Sequence, residues 1–381
     1  MKICFVVEYY PPHVGGGENL FAALAEGLAA RGHECVVVTC GLKGSPMEET
    51  RNGVQVKRVR VPKWGDRMWF SILGLKLALQ AAKDADVIHT TTYNGAFPAW
   101  LAGKILNKPV MITAHEVLGP LWKELKLPRA AAWLGAAAEK AVLALPFDAY
   151  SCNSHSTRKG LARYGIPKDK TFLAYPAPDY TRFKPLKGGG ENPTSIRKEL
   201  GLPQSRFIYL FYGRPGMLKG ADYLADAVPK ICREVPDALL VMILSREPAS
   251  GYRRIIEKAE SLPKGSILIK DSVPGDELPK WIQAADCAAV PSISEGFGFC
   301  CAEACAMDKP VVATWAGSLP EVVSGRHILV EPGSAEALAE GIILASQGGW
   351  TQKARKAFSQ SEFVENHLRA YEKLLEKSSA G

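Results

Sequence analysis

Residues 295–310 read EGFGFCCAEACAMDKP. Glu295 and Glu303 bracket a glycine-aromatic loop, Gly296-Phe297-Gly298, followed by Phe299, Cys300 and Cys301. Three chemistries use such residues. Paired carboxylates can act as acid and base, or accept hydrogen bonds from vicinal hydroxyls. Cysteines can hold a metal. A glycine loop that opens a helix can cradle a phosphate on its N–H groups. A metal needs about four converging donors. Cys300 and Cys301 are adjacent and diverge on a helix, and Cys301 and Cys305 share a face with no histidine nearby. The cysteines therefore read as packing, while the carboxylates and the loop stay open as a ligand site.

Other candidates follow strand-like runs. GRPGMLKG (213–220) sets Arg214 and Lys219 beside a helix start, which suits a diphosphate clamp; the alternative is two solvated cations. It is not a Walker loop. Gly15, Gly16 and Gly17 open a helix and suit an anion, or form an ordinary loop; they lack the spacing of a dinucleotide fingerprint. His115 follows the run PVMIT and could donate to a sugar hydroxyl, or be a loop histidine without a role. His33 reads as helix-terminal and His89 as packed. Asp84-Ala85-Asp86 has the look of a metal-binding pair, but it precedes its strand and lies on the wrong sheet edge for a ligand.

The elements that must position these residues come in two series. Strands are expected at 3–7, 35–39, 54–61, 86–90, 109–113 and 148–152, with helical stretches between most of them and Asn52-Gly53 as a hairpin turn. A Pro/Gly-rich, aperiodic stretch at 176–195 then marks a boundary. A second series follows at 207–213, 238–244, 266–270, 286–290, 310–314 and 327–330, and the stretch from about 350 to 377 reads as helical. Alternation of strands and helices means parallel sheets covered on both faces, so the fold class is α/β with two doubly wound domains. The chain of 381 residues is long enough for two cores. Its nine cysteines, mostly in apolar runs, read as free thiols of a reducing cytoplasm. No run spans a bilayer and no signal peptide is apparent. A net charge of +8 favours an anionic partner, without a nucleic-acid module behind it.

Taken together, these segments resemble the retaining GT-B glycosyltransferases of family 4. SISEGFGFCCAEACAMDKPVVATWAGSLPEVV is similar to that family's E-x7-E block, with Gly317 and Glu321 in its later part. GRPGMLKG resembles its GR-x4-KG element and PPHVGGGE its N-terminal glycine loop; RGHECVVVT, NGVQVKRV, DADVIH and SCNSHSTRKGL also fit. The resemblance implies two Rossmann-like domains facing across a cleft. Residues 1–185 would bind the acceptor, residues 186–359 would bind the nucleotide-sugar donor, and a helix at about 360–378 would pack back on the first domain. It implies that Glu303 binds ribose hydroxyls and Glu295 the donor sugar. The N–H groups around Gly296, Phe297, Gly298, Phe299 and Cys300 would hold the sugar and distal phosphate. Arg214 and Lys219 would neutralise the diphosphate, Gly15 and Gly16 would approach it, and His115 would stand near the transferring sugar. No metal or other cofactor is implied. Two departures stand out: Ser245-Arg246-Glu247 replaces a glycine turn near the base, and Cys300-Cys301 replaces aliphatic residues.

The implied reaction moves a hexosyl unit, of mannose or glucose type, to an acceptor hydroxyl with retention. An epimerase on the same fold and a non-catalytic nucleotide-sugar binder are the rivals. Segments 61–83 and 117–140 mix Trp64, Trp69, Phe70, Trp122 and Trp133 with basic residues. Such segments suit an anionic membrane surface, so a lipid-linked or cell-envelope glycan acceptor and a peripheral place on the inner face of the cell membrane are expected. The alternative is that these aromatics are core.

Overall fold

The computed structural model describes residues 1–13, 15–62, 64–125, 127–185 and 193–379. The chain forms two compact units: residues 1–176 with 358–381, and residues 177–357. In the first unit eight strands pair in the order β3-β4-β2-β1-β5-β6-β7-β8. They are β1 Lys2–Val6, β2 Glu34–Cys40, β3 Glu48–Arg51, β4 Val54–Val59, β5 Val87–Thr91, β6 Val110–Ala114, β7 Ala149–Cys152 and β8 Thr171–Leu173. Every neighbouring pair is parallel except the β3–β4 hairpin at Asn52-Gly53.

Strand periodicity sorts the core of this unit. Ile3 and Phe5 of β1 face one apolar cluster with Leu24, Leu28 and Val37, while Cys4 and Val6 face the other with Phe70, Ala78 and Ile88. The C-terminal helix Gln360–Ser379 completes the first cluster through Phe363, Val364 and Tyr371. It packs against the helix Gly16–Ala29 at Gly27, where a Cβ would stand 2.7 Å from Val364 Cγ2. Buried polar pairs fix its register: His89 Nδ1 meets the Tyr371 hydroxyl at 2.6 Å, and Ser151 Oγ meets His367 Nε2 at 2.9 Å. Burial pushes the pKa of both His89 and His367 down, so both are neutral donors or acceptors at neutral pH.

The second unit has seven strands in the order β11-β10-β9-β12-β13-β14-β15. They are β9 Phe207–Gly213, β10 Ala238–Leu244, β11 Ile267–Asp271, β12 Cys287–Val290, β13 Val311–Thr314, β14 Gly325–Val330 and β15 Thr351–Lys353. All pairs are parallel except β14–β15.

The structure differs from the sequence reading in particular places. The units divide after Pro176, because Phe183 is buried with Ile208, Leu210 and Ile282 in the second unit's core. The helix expected from about 350 begins only at Gln360. TQKARKAF carries no apolar stripe, and Thr351–Lys353 instead adds an antiparallel edge to β14. β3, β8 and β15 escaped notice because they are short and two of them are wholly polar. The Asp84/Asp86 pair has a structural use: Asp86 Oδ2 accepts the N–H of Lys2 at 2.7 Å, tying the start of β1 to β5, while Asp84 is exposed.

Candidate active site

Doubly wound sheets bind ligands beyond the carboxyl ends of their strands, where strand order reverses. In the second unit that point lies between β9 and β12. After β9 the chain passes Arg214 and makes a turn, Met217–Lys219, before the helix Ala221–Glu234. After β12 it runs through Ser292 to Glu295. The two loops are joined by the Ile293 N–H donating to the Leu218 carbonyl at 2.8 Å. Gly220 makes this closeness feasible: its φ is +68° and a Cβ there would lie 1.9 Å from the Pro291 carbonyl oxygen.

This juxtaposition pairs two of the sequence candidates. Lys219 Nζ donates to Glu295 Oε1 at 2.6 Å, and Ser292 Oγ donates to the same oxygen at 2.8 Å. Glu295 is only 8% exposed, so its charge depends on these partners. Its backbone is held as well. Ser318 N–H donates to the Glu295 carbonyl at 3.0 Å and Ser318 Oγ does so at 3.2 Å. Gly317, at φ +51°, crosses so close that a Cβ would stand 2.1 Å from that carbonyl oxygen.

Gly298 caps the helix Phe299–Ala306, and Phe297 and Phe299 meet edge to face at 5.1 Å. The first N–H groups of this helix have no acceptor within it, which gives the loop mouth a positive end. Glu303 stands one turn in, half-buried. Desolvation raises its pKa from 4.5 to about 7, against the opposing pull of Tyr212, Arg182 and Lys219. Tyr212 also donates to the Cys300 carbonyl at 2.7 Å, and Cys300 Sγ reaches the Tyr212 carbonyl at 3.4 Å. Cys301 is fully buried. All nine cysteines are free thiols. The cysteines thus pack this helix onto the sheet while Glu303 lies beside the loop. Arg214, by contrast, is exposed.

The first unit carries the remaining candidates at its own switch point, between β1 and β5. Gly15 is the N-cap of the helix Gly16–Ala29. The Glu18 side chain folds back toward Gly15, and its Oε1 pairs with His13 Nδ1 at 2.9 Å. His115, after β6, stacks on Tyr93 with ring centroids 5.7 Å apart, and its ring lies 3.4 Å from where a Gly17 Cβ would be. Burial lowers the His115 pKa to about 4, with Glu18 opposing. The ring is therefore neutral, and Asn153 Nδ2 sits 3.4 Å from its Nδ1. Donation by Asn153 leaves the proton on Nε2, so His115 can offer a hydrogen bond.

Sequence reasoning missed Glu8. It follows β1, is buried, and has its pKa raised to about 7 by desolvation. Its Oε2 and the Asn153 Oδ1 are buried without hydrogen-bond partners. The available signal was a carboxylate at the end of an otherwise apolar strand. Among the described residues, no group of three or more His, Cys, Asp or Glu side chains could hold a metal ion. Nor is any described helix long and apolar enough to cross a membrane.

Two doubly wound units, each with polar side chains gathered at its switch point, form the architecture of the GT-B glycosyltransferases. The sucrose-phosphate synthase of Thermosynechococcus elongatus superposes over the whole chain with a TM-score of 0.74, at 21% identity and 97% of its own length. Anabaena HepE in complex with UDP-glucose does so with a TM-score of 0.72, at 18% identity, covering 100% of this chain and 98% of that one. Residues 14–182 match Glycosyltransferase Family 4 and residues 193–362 match Glycosyl transferases group 1, and the chain belongs to this glycosyltransferase family. An uncharacterized glycosyltransferase of Methanocaldococcus jannaschii is 28% identical over 361 residues, 90% of this chain and 88% of that one. The D-inositol 3-phosphate glycosyltransferase of Xylanimonas cellulosilytica is 27% identical over 357 residues, 87% of this chain and 84% of that one. The protein is thus an enzyme of the retaining hexosyltransferase class that transfers a sugar from a nucleotide-sugar donor.

Proposed function

We propose that the second unit's switch point binds a nucleoside-diphosphate hexose of glucose or mannose type. In this reading Glu303 accepts hydrogen bonds from the ribose hydroxyls and Glu295 from the sugar. The N–H groups from Gly296 to Cys300 hold the sugar and distal phosphate. The observation that carries it is the Lys219–Glu295 pair set beside a helix N-terminus, with Glu303 one turn further on. As the acceptor oxygen bonds to the anomeric carbon, the bond from that carbon to the diphosphate breaks. The acceptor proton passes to the leaving phosphate oxygen, and Lys219 and Arg214 offset the charge that develops there. His115, neutral, donates to a sugar hydroxyl. Glu295 is committed to Lys219 and Ser292, which fits positioning of the donor sugar better than attack upon it. Uracil is the first base to test, as UDP, because the Anabaena relative carries UDP-glucose. Where the base would lie, Arg246 and Tyr252 are both bonded to Asp271. The acceptor in this proposal is a lipid-linked or cell-envelope glycan precursor, met at the inner face of the cell membrane.

Glu303 provides a test with a definite sign. Hydroxyls donate to a carboxylate, so binding favours its charged form and lowers its pKa from about 7. Affinity for UDP should rise with pH up to about 7 and then level off, by at most about tenfold per unit. Binding should release a proton below that point, seen by calorimetry in buffers of different ionisation enthalpy. Glu303→Gln should bind more weakly and without this pH dependence. In the ligand-free protein the sign is opposite: the raised pKa contributes stability below about 4.5 that is lost as pH rises through about 7. A wild-type affinity that is flat with pH contradicts the assignment of Glu303.

A further inference from the structure

The helix Asp66–Ala82 buries Phe70, Gly74, Ala78, Ala81 and Ala82 against the first unit's sheet. Its other side is also apolar. Met68 is 73% exposed, Ile72 one turn later is 66% exposed, and Trp64 in the preceding turn is 85% exposed. Trp69 and Leu73, again one turn apart, are exposed beside them. The neighbouring helix Ala96–Leu106 packs alongside and adds exposed Phe97 and Ile105. An exposed apolar patch of this extent marks an interaction surface. Two of the aromatics first assigned to such a surface do not belong to it. Phe70 is fully buried, and Trp122 packs over Gly135 with its Nε1 donating to Glu139 at 3.0 Å.

Charge selects the occupant. Arg60, Arg67, Lys76, Lys83 and Lys104 are exposed on or beside these helices. Of the acids there, Asp66 is occupied by the Tyr9 hydroxyl (2.5 Å) and the Arg67 N–H (2.8 Å), and Asp84 is exposed beyond the helix end. A row of tryptophan, methionine and isoleucine flanked by cations fits the headgroup boundary of an anionic bilayer, where apolar side chains enter the acyl region and cations meet phosphates. We propose that this face, centred on Trp64, Met68 and Ile72, docks the enzyme on anionic lipid. The purpose of docking rests on the lipid-linked acceptor reading; its measurement does not.

The full chain is sedimented with vesicles of phosphatidylglycerol and phosphatidylcholine, and with phosphatidylcholine alone, while tryptophan emission is followed. Binding and a blue shift are expected with the anionic vesicles, weakening severalfold near about 1 M salt as the Debye length shrinks to about 3 Å. The double variant Met68→Glu, Ile72→Glu should bind at least about tenfold more weakly, since exposed apolar area and charge both drive partitioning. Leu344→Glu, at an apolar site in the second unit that is 43% exposed, should bind as wild type. UDP titration of the same variants keeps the two readings apart, because docking variants should retain donor affinity. No binding to anionic vesicles overturns the proposal. So does binding that the double variant leaves unchanged, or self-association of wild type that the double variant abolishes in the absence of any vesicle binding.

Discussion

Lys219→Met lowers kcat/KM for sugar transfer by about a hundredfold to a thousandfold, the scale found when one preorganised stabiliser of a developing charge is removed. Two losses combine. The ammonium proposed to meet the departing diphosphate is gone, and Glu295 is left 8% exposed with Ser292 as its remaining side-chain donor among the described contacts. Breaking a buried pair from one side costs about 3–5 kcal/mol, and the partial exposure of Lys219 places this case at the low end. Melting temperature and UDP release should therefore both fall. Lys219→Arg keeps the charge, but its planar fork replaces a point donor, so it should recover activity only in part. A Lys219→Met enzyme that melts early yet turns over at the wild-type rate per folded molecule contradicts the catalytic assignment and leaves only the structural one.

Gly317→Ala is expected to disable the site from the far side of Glu295. The new Cβ would stand 2.1 Å from the Glu295 carbonyl oxygen and 2.9 Å from its nitrogen, at a φ of +51°. The left-handed backbone alone costs about 1–2 kcal/mol for a residue with a Cβ. Relief of the overlap has to move the Glu295 loop, since neither atom belongs to a flexible side chain. A displacement of about 1 Å in a positioning group costs on the order of a hundredfold in rate. Transfer should therefore drop about that far, while UDP affinity, which the proposal assigns to Glu303, changes less. Equal losses in UDP binding and in transfer would mean that the whole unit has rearranged, which circular dichroism and melting would register.

The contrast between these residues and Glu8 shows what the sequence can carry. EGFGFCCAE and GRPGMLKG were legible because glycine, paired carboxylates and paired cations are unusual types whose local spacing already fixes a loop and a helix start. The strands of both sheets were legible for a similar reason: buried parallel strands are short, nearly continuous apolar runs. Ser292, Ser318, Asn153 and Glu8 are common residues. Their importance comes from which strand lies beside which, as when β12 settles next to β9 and brings Ser292 and Glu295 to Lys219. No local pattern states that order. The aromatics of 61–83 and 117–140 show the same limit, since Phe70 and Trp64 are six residues apart in one basic segment and only packing makes one core and the other surface.

The central claim is that Glu303 and Glu295 read the two ends of one donor, and it is tested by titrating UDP and UDP-glucose into wild type, Glu303→Gln and Glu295→Gln by calorimetry. Glu303→Gln should weaken both ligands by the same factor, because both carry the ribose. Glu295→Gln should leave UDP nearly as tight as in wild type and remove only the additional affinity that glucose confers. Weakening of UDP and UDP-glucose alike by Glu295→Gln, or full UDP affinity in Glu303→Gln, contradicts the assignment.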